Sequence, residues 1–157
     1  MDHKKYLGFV YHYLAIRNRS EKEIRDYLLK KKAATEIIDS IIELLKEQKF
    51  LDDEVFARSW VTHRARFRPK GKQALKFELL QKGISQDLIE KIFSEKNEEL
   101  PDELTQAKNL IGRRIEKLQG APRQEIYNKV GSFLARRGFD WDTIKKAIDA
   151  CLADNHL

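Results

Sequence analysis

The sequence holds a single cysteine, Cys151, so neither an intrachain disulfide nor a cysteine-based zinc site can form. Glycine and proline are scarce, seven and three residues among 157, where average usage would give roughly 12% of the chain. No Gly-rich phosphate loop fits that shortage. Valine and threonine occur four times each beside eighteen leucines. Side chains branched at Cβ lose χ1 freedom in a helix, so this balance favours helix over sheet. Long apolar runs are missing as well. Nothing approaches the ~20 residues of a membrane span. The stretch from Leu7 to Ile16 is interrupted by His12 and followed by Arg17 and Arg19, which does not suit a secretory signal. The expectation is a cytoplasmic protein that does not enter a membrane.

What the sequence does have is charge and a repeat. Charged residues make up 36% and apolar ones 41%, with 31 basic against 25 acidic residues and a formal net charge of +6. That is too apolar for a disordered chain. Three segments superimpose without gaps. Ile24, Leu28, Ile38, Ile41 and Ile42 correspond to Leu75, Leu79, Ile89, Ile92 and Phe93, and these to Val130, Leu134, Ile144, Ala147 and Ile148. Each set carries the i, i+4 step of one helix face, a break, then i, i+3, i+4 on a second helix.

The break repeats too: Lys82-Gly83-Ile84-Ser85 matches Arg137-Gly138-Phe139-Asp140. Gly83 and Gly138 suit the left-handed residue that ends a helix. Ser85 and Asp140 suit the N-cap of the next one. Ile84 with Ile89, and Phe139 with Ile144, stand at staple positions. In the first copy Lys32-Ala33-Ala34 takes this place, a less specified turn.

A third helical stretch precedes each pair. The first spans about 5–17, with Leu7, Val10, Leu14 and Ala15 inward. The second spans about 52–67, capped by Asp52 and carrying Phe56, Trp60 and Val61. The third spans about 101–119, with Pro101 suited to its first turn. Ser20 and Glu23 form a capping box. The whole reads as an all-α protein of three tandem three-helix repeats resembling helix-turn-helix units, over 1–50, 51–97 and 98–157. A linker is expected from Ser94 to Asp102, with Glu95, Glu98, Glu99 and Pro101, and a bend at Arg68-Pro69-Lys70-Gly71. Trp60 and Trp141 read as core residues.

Charge is unevenly placed. Residues 58–77 hold Arg58, Arg64, Arg66, Arg68, Lys70, Lys72 and Lys76 and no acid. Residues 83–104 hold seven acids and two lysines. A basic stretch of that length suits docking to phosphates or to an acidic surface, and Phe67 among its arginines is the candidate exposed aromatic. The last helix of each repeat is net negative: Glu36, Asp39, Glu43 and Glu47 oppose Lys46 in the first, for instance. A helix reading the major groove would meet phosphate repulsion at each acid. Sequence-specific duplex reading is therefore not expected.

Catalytic signals are weak. His3, His12, His63 and His156 are scattered without ligand spacing, Asp52-Asp53-Glu54 read as helix-start residues, and Cys151 reads as a small buried residue. Neither an enzyme nor a cofactor is expected.

Arg17-Asn18-Arg19-Ser20-Glu21-Lys22-Glu23-Ile24 is similar to the R-x-x-S-x-x-E-[LI] opening of the RecX regulatory family. Phe50-Leu51-Asp52-Asp53-Glu54-Val55-Phe56-Ala57 resembles its G-[YF]-L-D-D-x-x-[FY]-A signature. Residues 70–84 and Leu134-Ala135-Arg136-Arg137-Gly138-Phe139 resemble its later segments. Lys49 departs from a frequent Gly and Pro69-Lys70 from a common Tyr or Arg, which alters a helix end and a turn. The resemblance implies an elongated, curved row of repeats. It also implies a non-enzymatic, monomeric regulator of recombination and the SOS response that binds the groove of the RecA–single-stranded-DNA filament and inhibits its growth, strand exchange, ATP hydrolysis and co-protease activity. The alternative is a direct DNA binder acting without RecA. The candidate contacts are the seven basic residues of 58–77. Arg17, Arg19, Arg136 and Arg137 are second-rank candidates, since the first two flank a cap and the last two end a helix.

Overall fold

A computed structural model describes residues 3–67, 69–95 and 102–154. Among these residues are nine α-helices and no strand: α1 His3–Ile16, α2 Glu21–Lys30, α3 Thr35–Glu47, α4 Asp53–Arg66, α5 Lys72–Gln81, α6 Gln86–Ser94, α7 Glu103–Lys117, α8 Arg123–Arg136 and α9 Trp141–Asp154. The contacts group the chain into two units. Met1–Trp60 with Leu79–Ile92 form unit 1, and Val61–Glu78 with Phe93–Leu157 form unit 2.

The core of unit 1 is the predicted apolar set. Ile24 and Leu28 of α2 meet Ile38, Ile41, Ile42 and Leu45 of α3, with Val10, Ala33 and Leu51 closing the cluster. Unit 2 repeats the arrangement with Ala107, Ile111 and Ile115 of α7, Ile126, Val130 and Leu134 of α8, and Ile144, Ala147, Ile148 and Cys151 of α9. Each fully buried Leu or Ile contributes about 1.5–3 kcal/mol. Burial also holds the Cys151 thiol protonated, raising its pKa. In the middle repeat Leu75, Leu79 and Ile89 are buried, whereas Ile92 and Phe93 are only half-buried.

One helix-ending turn occurs three times. Ala33 N–H donates to Leu28 O at 3.0 Å, Ile84 N–H to Leu79 O at 3.0 Å, and Phe139 N–H to Leu134 O at 3.2 Å. These are the six-to-one bonds of a Schellman motif, which requires a left-handed residue just before the donor. Gly83 (φ 82°) and Gly138 (φ 89°) fill that place as expected, and in the first copy Lys32 does so at φ 65°. A fourth turn of this kind ends α3, with Lys49 left-handed at φ 62° and Phe50 N–H bonded to Leu45 O at 2.9 Å.

The caps follow suit. Ser85 Oγ accepts from Leu88 N–H at 3.2 Å, and Asp140 Oδ1 from Thr143 N–H at 2.8 Å. Asp52 Oδ1 accepts from Glu54 and Val55 N–H. Ala34, the equivalent N-cap of α3, provides no side-chain bond.

Several expectations are corrected. Trp141 is 61% exposed: as the first residue of α9 it sets its ring beside Gly131 and Tyr127 of α8 and leaves most of its surface to solvent. Ala15 is exposed at the outer side of α1. The cap of α7 is Asp102, whose Oδ1 accepts from Thr105 N–H at 2.7 Å, so Glu103 opens the helix. Pro101, Glu98, Glu99, Arg68 and His156 lie outside the described residues.

Candidate functional site

The three described arginines and three lysines of 58–77 have very different surroundings. Arg58 Nε lies 3.2 Å from Glu54 Oε2, one turn back in α4. Arg64 Nε lies 3.2 Å from Glu78 Oε2, and Lys70 Nζ lies 2.8 Å from Glu78 Oε1 as an ion-pair contact. The Glu78 side chain is only 14% exposed. A carboxylate gripped from two sides in that setting cancels much of the local positive field. Lys76 Nζ sits 5.6 Å from the Phe93 ring centroid, which positions the ammonium without neutralising it.

Lys72 and Arg66 are exposed at helix ends. Neither side chain makes an ion pair among the described residues. Lys72 N–H donates to Glu103 Oε1 at 2.6 Å, which fastens the start of α5 to the start of α7. Phe67 is 60% exposed and Phe77 59% exposed, so the basic stretch carries two exposed rings where one was foreseen.

The second-rank candidates divide sharply. Arg17 and Arg19 serve the capping box of α2. Glu23 Oε2 lies 2.5 Å from Arg17 Nη2 and 3.9 Å from Arg19 Nη1, and Lys82 Nζ approaches it at 3.5 Å. Burial works to raise the Glu23 pKa. The Arg17 and Ser20 hydrogen bonds and the charges of Arg17 and Lys82 outweigh it, leaving the pKa below the usual carboxylate range. Arg19 also covers the Tyr13 ring at 3.7 Å, and Tyr13 stacks on Tyr27 at 4.2 Å. These two arginines hold unit 1 together.

Arg137 comes to the basic stretch, and Arg136 beside it in the sequence is exposed. Gly71 N–H donates to Arg137 O at 2.7 Å, and Arg137 Nη1 donates to Pro69 O at 3.4 Å. This close approach depends on glycine: a Cβ at Gly71 would fall 2.3 Å from Gly138 O, and one at Gly138 would fall 2.3 Å from Ala74 Cβ. The end of α8 therefore meets the start of α5. Lys72 and Arg137 meet there from positions 65 apart in the chain, and Lys72 adds to the hydrogen bonds from Thr143 that lower the Asp140 pKa. Sequence reasoning had no signal for this junction beyond the two glycines.

Among the described residues no group of His, Cys, Asp and Glu could hold a metal. No helix among them is long and apolar enough to cross a membrane.

The chain matches three family models in order: "RecX, first three-helix domain" over residues 9–45, "RecX, second three-helix domain" over 52–91, and "RecX, third three-helix domain" over 101–148. The chain belongs to the RecX family. Curated relatives named "Regulatory protein RecX" include one from Prosthecochloris aestuarii, 33% identical over 98% of this chain and 97% of the relative. Another, from Bacillus pumilus, is 35% identical over 87% of this chain but 51% of the relative. The chain thus spans about half the length of the Bacillus protein and nearly all of the Prosthecochloris one. The crystal structure of RecX from Lactobacillus salivarius superimposes with a TM-score of 0.83 at 23% identity, covering 95% of this chain and 96% of that one. RecX proteins are regulators by name, and this chain carries their three three-helix domains.

Proposed function

We propose that this RecX-family chain regulates DNA recombination and repair by binding the RecA–single-stranded-DNA filament and limiting its growth. In this reading it is a cytoplasmic monomer without catalytic activity, and it lowers strand exchange, ATP hydrolysis and co-protease activity by occupying the filament groove. The observation that carries the reading is the ordered match of all three RecX domains. The exposed cations of unit 2 agree with it: a filament offers phosphates and acidic side chains, which guanidinium and ammonium groups bind through charge-assisted hydrogen bonds.

The surroundings of the candidates decide which to alter. Arg64→Glu would set a carboxylate against Glu78, so it perturbs folding as well as binding. Lys72, Arg136 and Arg66 lack such partners. The test is RecA-catalysed ATP hydrolysis on single-stranded DNA with substoichiometric amounts of the full chain. Inhibition is expected, and K72E/R136E should weaken it while leaving the melting temperature close to wild type, since exposed charges contribute ~0–1 kcal/mol. Unchanged hydrolysis and strand exchange at equimolar protein would overturn the reading and favour a DNA binder acting without RecA.

A further inference from the structure

The turns that end α5 and α8 are each docked on the start of another helix, and the two dockings match. In unit 1 the carbonyl of Lys82, the residue before Gly83, accepts from Ser20 Oγ at 2.6 Å, at the start of α2. In unit 2 the carbonyl of Arg137, the residue before Gly138, accepts from Gly71 N–H at 2.7 Å, at the start of α5. The offsets that superimpose the apolar sets also carry Ser20 onto Gly71 and Lys82 onto Arg137. A buried hydroxyl donates in one docking and a buried backbone amide in the other, so the place is kept while the donor changes.

The glycines complete the fit. A Cβ on Gly83 would lie 2.5 Å from Lys22 Cβ, and one on Gly138 would lie 2.3 Å from Ala74 Cβ. Lys22 and Ala74 stand in the first turns of α2 and α5, so both obstructions come from the neighbouring helix. The left-handed backbone by itself does not demand glycine, because Lys32 adopts φ 65° in the equivalent turn that ends α2. The surroundings differ there. Lys31 and Lys32 are exposed, and among the described residues no hydrogen bond reaches the Lys31 carbonyl, the counterpart of those of Lys82 and Arg137.

We propose that these two dockings are one joint used twice. Through it the start of one repeat's second helix holds the end of the next repeat's second helix. The residue in the left-handed position decides whether a turn can enter the joint. Glycine lets the carbonyl before it reach the donor. A Cβ there takes the space that Lys22 and Ala74 fill, and close-packed interiors do not yield such space without strain. Lys32 therefore closes the α2 turn to this joint, and the partner it excludes is a helix start of the kind that opens α2 and α5. Gly83 and Gly138 serve a neighbour, while the turn itself needs only its apolar pair and the six-to-one bond. The joint stands apart from the regulatory reading, which neither requires nor predicts it.

The test compares alanine with glycine at the three equivalent positions of the full chain by thermal unfolding. K32A and K32G should differ only by left-handed strain, a gap of roughly 2–8 °C for a chain of this length. G83A and G138A should each fall below wild type by about twice that gap or more, because the neighbour's clash is added to the strain. Removing the neighbour separates the two causes. K22G should recover about half or more of the extra loss in G83A, measured as K22G/G83A against K22G. Amide hydrogen exchange reads the joint directly. In G138A the Gly71 amide should exchange roughly tenfold faster or more, while the Phe139 amide, which closes the turn itself, should change by less than about threefold. Should G138A fail to fold, G83A with its K22G rescue carries the same test in unit 1. Equal gaps between alanine and glycine at all three positions would overturn the proposal, since the cost would then belong to the backbone alone. A loss in G83A that K22G leaves untouched would overturn it too.

Discussion

The turns ending α2 and α8 follow one backbone path with different residues. In the α8 turn Gly138 takes the left-handed position and Asp140 caps the next helix; in the α2 turn Lys32 and Ala34 stand there. The same six-to-one bonds form in both. Buried Phe139 and Ile144 close one turn and buried Ala33 and Ile38 the other. The apolar pair thus suffices to specify the path, and the turn residues set only how much strain the path carries. A second contrast has the same form. Segment 58–77 has the longest acid-free basic run, yet Glu54 and Glu78 fold back onto it.

The largest expected effect tests whether the two turns differ in their neighbours as well as in their residues. Gly138→Ala adds a Cβ that would lie 2.3 Å from Ala74 Cβ at a φ of 89°. Left-handed strain of roughly 1–2 kcal/mol and overpacking of about 1–3 kcal/mol should together lower unfolding free energy in urea by roughly 2–5 kcal/mol. The Lys32 turn tolerates its Cβ. A loss under ~1 kcal/mol for Gly138→Ala would mean that α5 and α8 do not approach as closely as described.

Next comes the capping box, which unit 1 ties down with two arginines and a lysine around Glu23. Glu23→Ala should cost about 1.5–3 kcal/mol, the range for hydrogen bonds to charged groups. The pH dependence follows from its lowered pKa. The unfolded chain binds this proton more readily than the folded one, so the contribution is fully present above the unfolded pKa and is lost as pH falls through the folded one. Wild type should therefore lose stability in acid more steeply than Glu23→Ala. Parallel acid curves would show that the ion pairs around Glu23 contribute nothing measurable.

Much of the fold was legible in the sequence because buried positions recur at helical spacing. Ile24, Leu28, Ile38 and their counterparts occupy the places their periodicity assigns. Glycines and cap residues marked the turns, and Ser20 with Glu23 marked the α2 start. The failures have physical causes. Trp141 follows the apolar period yet opens its helix, so its ring meets α8 only beside Gly131 and Tyr127 and stays largely in solvent. Lys32 adopts a conformation that its side chain disfavours, so no propensity could announce it. The candidate site was legible as charge and not as field. Glu78 lies fourteen positions from Arg64, and Arg137 lies 68 from Pro69, so which cations are cancelled and which assemble depends on packing.

The smallest effect tests the caps themselves. Ala34 and Asp140 are equivalent N-cap residues, and only Asp140 has an acceptor for the amide three residues on. Asp140→Ala leaves Thr143 N–H to water and should cost about 1 kcal/mol, within the 0.5–2 kcal/mol found for lost caps. Ala34→Asp places a carboxylate where Ile37 N–H can donate to it, and at the positive end of the α3 dipole. It should gain about the same amount. The double variant should then melt close to wild type, because the two sites share no partner and distant changes add. A gain at Ala34 without a matching loss at Asp140 would show that the two turns are equivalent in path but not in exposure to solvent. Losses at both would show that Ala34 is held against a surface that rejects charge, and that the first turn differs from the third by more than its residues.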